Sequence, residues 1–171
     1  INMTITRRQF IQTTALAAGS LALADPSSAR IKDSDMSAER PLFVSTWPFG
    51  KAANERSLEV FEGGGSVLDA VEMGIHVPEA DASNASVGLG GIPNAEGVVQ
   101  LDACIMDGEG QRAGSVAGIE DILHPISVAR KVMDETKHVM LVGEGARQFA
   151  LSQGFEKVNL LTEEQRLKWE K

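Results

Sequence analysis

Single glycines closing short apolar runs are the feature that most constrains this chain. The 171 residues hold 17 glycines, and many stand singly after stretches such as VVQLDACIMD, RAGSVA and HVMLV. Glycine ends an element without a Cβ penalty in left-handed turns, so the spacing predicts many short strands and helices joined by tight turns. That pattern points to a layered α/β domain. The length suits one domain at about 150 residues per domain, and 43% hydrophobic with 23% charged residues is ordinary for a soluble globular protein.

The amino-terminal stretch does not belong to that fold. Residues 1–24, INMTITRRQFIQTTALAAGSLALA, place Arg7 and Arg8 before a weakly apolar Ala/Leu segment and then small residues. This resembles a twin-arginine export signal of bacteria, with cleavage expected after Ala24 and a periplasmic or secreted destination. A fraying amphipathic helix is the competing reading. The apolar segment is shorter than the roughly 20 residues of a membrane span, and Gln12, Thr13 and Thr14 dilute it. No membrane association is expected. Met3 is the expected initiator, residues 25–40 (DPSSARIKDSDMSAER) the expected flexible leader, and residues 41–171 the expected folded domain.

Removing Arg7 and Arg8 from the 16 basic residues leaves 14 against 24 acidic ones, a net charge of −10. Such a surface repels phosphate backbones, so no nucleic-acid partner is expected. Cys104 is the only cysteine, which forbids an intramolecular disulfide, and its apolar neighbours predict a buried structural thiol. His76, His124 and His138 stand far apart with no metal-ligand spacing, so no metal is assigned.

Within the folded part, residues 42–47 (LFVSTW) predict a buried strand ended by Pro48, and residues 52–61 a helix stopped by Gly63 to Gly65. Ser66 with Asp69 forms a capping-box pattern for a helix whose stripe is Val67, Leu68, Val71 and Ile75. Residues 78–93 read as a glycine-rich loop, and 98–106 as a strand turned at Asp107-Gly108 into a partner at 112–119. Pro125 opens a helix with Ile126, Ala129, Val132 and Met133 on its core side. HVMLVG reads as a third buried strand, 145–152 as a helix, and Thr162 with Gln165 as the cap of a last helix that has barely begun at Lys171, so the chain is expected to be a truncated domain.

Few groups here carry chemistry. HVMLVGEGARQFA has a strand-glycine-helix layout, but Gln148 replaces the third glycine of G-x-G-x-x-G and no acid follows about 20 residues on. Gly143 and Gly145 are better read as a tight turn, and no nucleotide or other cofactor is expected. There is no G-x-S-x-G elbow and no visible Ser-His-Asp pattern. Asp102 and Asp107 in LDACIMDG look like a carboxylate pair, yet residues five apart in a strand point to opposite faces. Asp107 is assigned to the turn and Asp102 to a structural hydrogen bond near the strand's start.

From STWPFG onward a run of motifs stands in one order: GGGSVLDAVEMG, SVGLGG, LDACIMDG, GSVAGIE, HPISVARKVMDETKHVMLVGEGARQFALSQGF and NLLTEEQ. Over residues 41–169 the chain resembles the α-subunit half of the glycosylasparaginases, the N4-(β-N-acetylglucosaminyl)-L-asparaginases. Plant-type asparaginases and isoaspartyl peptidases share the helix and the IMDG turn. They differ where this chain has Ser45-Thr46-Trp47-Pro48-Phe49 and SVGLGG. The resemblance implies the four-layer αββα sandwich of the N-terminal nucleophile hydrolases, of which this chain would be the first part. It also implies a β-subunit partner from the same precursor in an (αβ)2 heterotetramer, and a small glycoasparagine or asparagine substrate.

In that family a precursor cuts itself at an Asp-Thr bond. The freed threonine hydroxyl attacks the side-chain amide carbon, with its own α-amino group as base. No aspartate here precedes a threonine: Thr46, Thr136 and Thr162 follow Ser45, Glu135 and Leu161. The catalytic threonine is therefore expected beyond Lys171, and the 171-residue chain alone is expected to be inactive, with unpaired strand edges that aggregate or bind the partner. Two positions carry over from the family. Trp47 matches the tryptophan at the active-site rim, against the plain alternative of a core residue. Ser86 matches the serine facing the nucleophile, against that of a loop-stabilising hydroxyl. An accessory domain that never held a nucleophile is the non-enzymatic alternative.

Overall fold

The computed structural model describes residues 41–171; the expected export signal (1–24) and leader (25–40) lie outside the described residues. The elements run α1 (Gly50–Glu62), α2 (Val67–Ala80), β1 (Leu101–Asp107), β2 (Arg112–Ile119), α3 (Pro125–Glu135), β3 (Met140–Val142), α4 (Gly143–Ser152) and α5 (Glu163–Trp169). The mixed α/β composition agrees with the expected fold class. None of these helices is long and apolar enough to cross a membrane.

The strands form one sheet in the order β1-β2-β3, β1 antiparallel and β3 parallel to β2. The parallel pair is joined through α3, which lies on one face of the sheet. Leu101, Ile105, Val116 and Ile119 meet Ile126, Val128, Ala129, Val132 and Met133 there, with Ala146 and Ala150 of α4 completing the core. Gly114 lets β2 come close to α3: a Cβ at this position would lie 2.1 Å from the Ala129 carbonyl oxygen. No side chain fits between β2 and α3 at that point.

Among the described residues nothing covers the other face. Cys104 pairs with Ser115 and Ser115 with Met140, while Ala117 pairs with Val142. Side chains opposite one another share a face, and Cys104, Met106, Met140 and Val142 are all exposed. Two expectations fail here for one reason: Cys104 is not a buried thiol, and β3 is not a buried strand. An apolar sequence implies burial only if something covers that face.

Residues 42–47 also depart from expectation. They form no strand, and Leu42, Val44 and Trp47 are 86%, 81% and 65% exposed. A strand exists through its ladder, and among the described residues nothing pairs with this segment.

Local signals fared better. Ser66 Oγ accepts the Asp69 N–H at 3.1 Å, and the Asp69 carboxylate accepts the Ser66 N–H at 3.0 Å, completing the capping box. Thr162 caps α5 more loosely, at 3.4 Å from the Gln165 N–H. The expected loop at 78–93 starts late, because α2 runs through Pro78 to Ala80. A proline in a last turn removes only its own donor. The β1–β2 connection is longer than the dipeptide Asp107-Gly108: Asp107 pairs with Arg112, leaving residues 108–111 as the loop.

Candidate functional site

Trp47 stands in the turn that feeds α1. Its carbonyl accepts the Gly50 N–H at 2.9 Å, and Ser45 Oγ donates to Asn54 Oδ1 at 2.6 Å, pinning the turn to the helix. The indole is outside the core and borders an open cleft of about 550 Å³ with Phe43, Ser45, Lys51, Asn54 and Leu58.

Ser86 lies on the loop after α2. Asp81 Oδ1 accepts the Ser83 N–H at 2.9 Å and Asn84 Oδ1 accepts the Ser86 N–H at 3.1 Å, so successive side chains fold the loop back on itself. The loop then hangs from Glu79, whose carbonyl accepts the Leu89 N–H at 2.8 Å. Gly88 takes φ +62, and a Cβ there would sit 1.9 Å from that same Glu79 oxygen. Ser86 is exposed at a second cleft, of about 380 Å³, bordered also by Phe49, Glu79, Gln100, Asp102 and Cys104.

Trp47 and Ser86 thus border different clefts. Phe49, which sequence reasoning missed, borders the Ser86 cleft. Its only sequence signal is its place two residues after Trp47 where the chain enters α1.

Two of the histidines meet although no sequence spacing joins them. His76 and His124 are distant in sequence, yet their rings stack with centroids 3.8 Å apart and planes 14° from parallel. His76 Nε2 is 2.6 Å from Ser127 Oγ, and Ser127 Oγ donates to Glu72 Oε1. His124 Nδ1 is 2.9 Å from Glu79 Oε2, while Glu79 Oε1 accepts the Ile126 N–H at 3.1 Å. Burial raises the Glu79 carboxyl above its ordinary value, only partly offset by the bond to His124. Burial, then the His124 ring, lowers His76 to about 4.

Ser127 and His76 look like a nucleophile and its base, but the Ser127 proton is directed at Glu72. An imidazole with a pKa of about 4 is also a poor base. His76, Glu79 and His124 bring donor atoms within 4.8 Å of one another. The stacked rings hold their lone pairs in two nearly parallel planes, so a metal ion shared by both would lie out of the plane of at least one ring. As folded, these residues form a hydrogen-bonded network.

Asp102 and Asp107 do not converge. Asp102 Oδ1 accepts the Gly118 N–H at 2.7 Å, and Asp107 binds Arg112 at 3.0 Å and the Glu109 N–H at 3.1 Å. Arg112, ahead of the backbone donors, holds the Asp107 carboxyl below the usual range. Gly143, at φ +53, makes the expected tight turn between β3 and α4.

The chain is 48% identical to the N(4)-(β-N-acetylglucosaminyl)-L-asparaginase of Elizabethkingia miricola over 165 residues, which is 95% of this chain and 48% of that protein. It is 46% identical to the protein of the same name from Rattus norvegicus over 71% of this chain and 35% of that one. It is 50% identical to the plant-type L-asparaginase of Pyrococcus abyssi over 62% of this chain and 34% of that one. The chain therefore spans about half the length of such relatives or less. The asparaginase family pattern matches residues 27–171, which include every described residue, and the chain belongs to the type-2 asparaginase family.

Proposed function

We propose that this chain is the first half of an amidohydrolase of the glycosylasparaginase type, which cleaves the side-chain amide of glycosylated asparagine to release aspartate. The observation that carries this reading is the 48% identity maintained over 95% of the chain to a protein named for that activity. In the proposed enzyme a threonine freed by self-cleavage, supplied by a segment outside these 171 residues, attacks the amide carbon with its own α-amino group as base. Trp47 packs against substrate at the rim, and Ser86 faces the nucleophile. Each side chain is exposed at a cleft of its own, which leaves both accessible.

The bare sheet face supports a partner. A second sheet laid over Cys104, Met106, Met140 and Val142 would complete the four-layer αββα sandwich, with residues 42–47 pairing into it as a strand. We assign that sheet to the β-subunit of the same precursor, in an (αβ)2 heterotetramer. Export by the twin-arginine route to the periplasm is proposed from Arg7, Arg8 and the small residues before Asp25.

The test gives aspartylglucosamine, free asparagine and an isoaspartyl dipeptide to the 171-residue chain alone and to the natural full-length protein. Hydrolysis of aspartylglucosamine by the full-length protein only is expected. Turnover by the short chain would overturn the division of labour. A full-length protein that prefers free asparagine by about tenfold or more in kcat/KM would favour the second reading, a plant-type asparaginase, which the 50% identity to the Pyrococcus protein supports over a shorter span.

A further inference from the structure

Glu72, His76 and Glu79 are spaced four and three apart on α2 and so form one stripe down its face. The stripe grips the first turn of α3 at three points: Ser127 through Glu72 and His76, Ile126 through Glu79, and His124 through both the stack and Glu79. Because the Ser127 hydroxyl proton goes to Glu72, His76 Nε2 must be the donor to Ser127, which leaves Nδ1 as the unprotonated nitrogen. The other charged groups between the two helices are Arg130, 3.7 Å from Glu72 and 3.6 Å from Asp69, and Asp134, which binds Arg130 at 2.6 Å.

We propose that this stripe is an acid-labile clamp between α2 and α3, opened when His76 takes a proton on Nδ1 while its ring lies against that of His124. A proton on His76 puts a positive charge into a half-buried site, 3.8 Å from the face of the His124 ring, where burial and close packing disfavour it. The consequence reaches the Ser86 loop, which hangs from the Glu79 carbonyl and presses Gly88 against the same residue. The clamp goes beyond the catalytic reading and stands whether or not Ser86 meets substrate.

The two titrations pull in opposite directions. His76 is lowered from 6.5 to about 4, so the unfolded chain binds this proton first. Its contribution to stability is complete above 6.5 and is lost as pH falls toward about 4. Glu79 is raised above 4.5, so the folded state binds that proton first, and acidification there adds stability. Removing His76 alone separates them.

The experiment uses the natural full-length protein. Carbon-edited NMR of the His76 ring should give a midpoint near 4, and a midpoint at 6.5 would overturn the proposal. Melting temperatures of natural and His76→Gln protein are compared across the same interval, since Gln can still donate to Ser127. The variant should lose clearly less melting temperature on acidification, and parallel curves would overturn the clamp. If the variant fails to fold, the NMR midpoint of the natural protein decides. Zinc chloride at neutral pH should leave the melting temperature unchanged; a zinc-dependent rise would make the cluster a metal site instead.

Discussion

Asp102 on β1 holds the backbone N–H of Gly118 on β2, 2.7 Å from its Oδ1. The contact falls where the register slips: Leu101 opposes Ile119 but Ala103 opposes Val116, so β2 carries one extra residue. Gly118 sits in that bulge at φ +57. A bulge leaves an amide outside the ladder, and the carboxylate fills the vacancy. Asp102→Ala should therefore cost about 0.5–1.5 kcal/mol, the net worth of a hydrogen bond that water can partly replace. Asp102→Asn should cost less. Chemical denaturation of the full-length protein checks both, and a neutral alanine variant would refute the assignment.

Gly114 is predicted to tolerate nothing larger. A Cβ would stand 2.1 Å from the Ala129 carbonyl oxygen and 2.5 Å from the Met133 nitrogen, both backbone atoms that move only with α3. Gly114→Ala should cost on the order of 3 kcal/mol or more, seen as loss of the cooperative melting transition.

Ser66→Ala removes one half of the capping box and should cost about 1 kcal/mol. Thr162→Ala should cost less, because its cap bond is 3.4 Å and α5 is only seven residues long. Equal losses in the two variants would contradict this ranking.

Trp47→Ala should separate a site role from a packing role. With the side chain 65% exposed, the melting temperature should hold while KM for aspartylglucosamine rises about tenfold, the equivalent of 1.4 kcal/mol of lost contact. A drop in melting temperature with unchanged KM would assign Trp47 to structure instead.

Cys104 reports on the proposed second sheet. It is exposed on the bare face, so if that face is covered in the full-length protein, alkylation of the native form should be slower than that of the denatured form by roughly a hundredfold. Equal rates would leave the face uncovered.

The capping box at Ser66 and Asp69, the pairing of LDACIMD with RAGSVAGI and the helix opened by Pro125 were all legible in the sequence. Each depends on residues a few positions apart, or on a hairpin joined by a short loop. The motifs of Trp47 and Ser86 were legible as well. That they border different clefts, with Phe49 beside Ser86, was not.

What lay beyond the sequence has a common cause. Residues 42–47 and HVMLVG are apolar and strand-like, but a strand needs a partner and an apolar face needs a cover, and neither is written in the segment itself. Cys104 reads as buried until the face it points from is known. His76 and His124 have no spacing that joins them, because they meet only when α2 packs against the start of α3. The sequence by itself determined most of the helices, the β1–β2 pairing and the Ser66 cap, since those follow from torsional preference and hydrogen bonds within a few residues. The tertiary structure alone decided which sheet face lies bare and which distant side chains share a proton network, since burial and charge coupling depend on what packs across space.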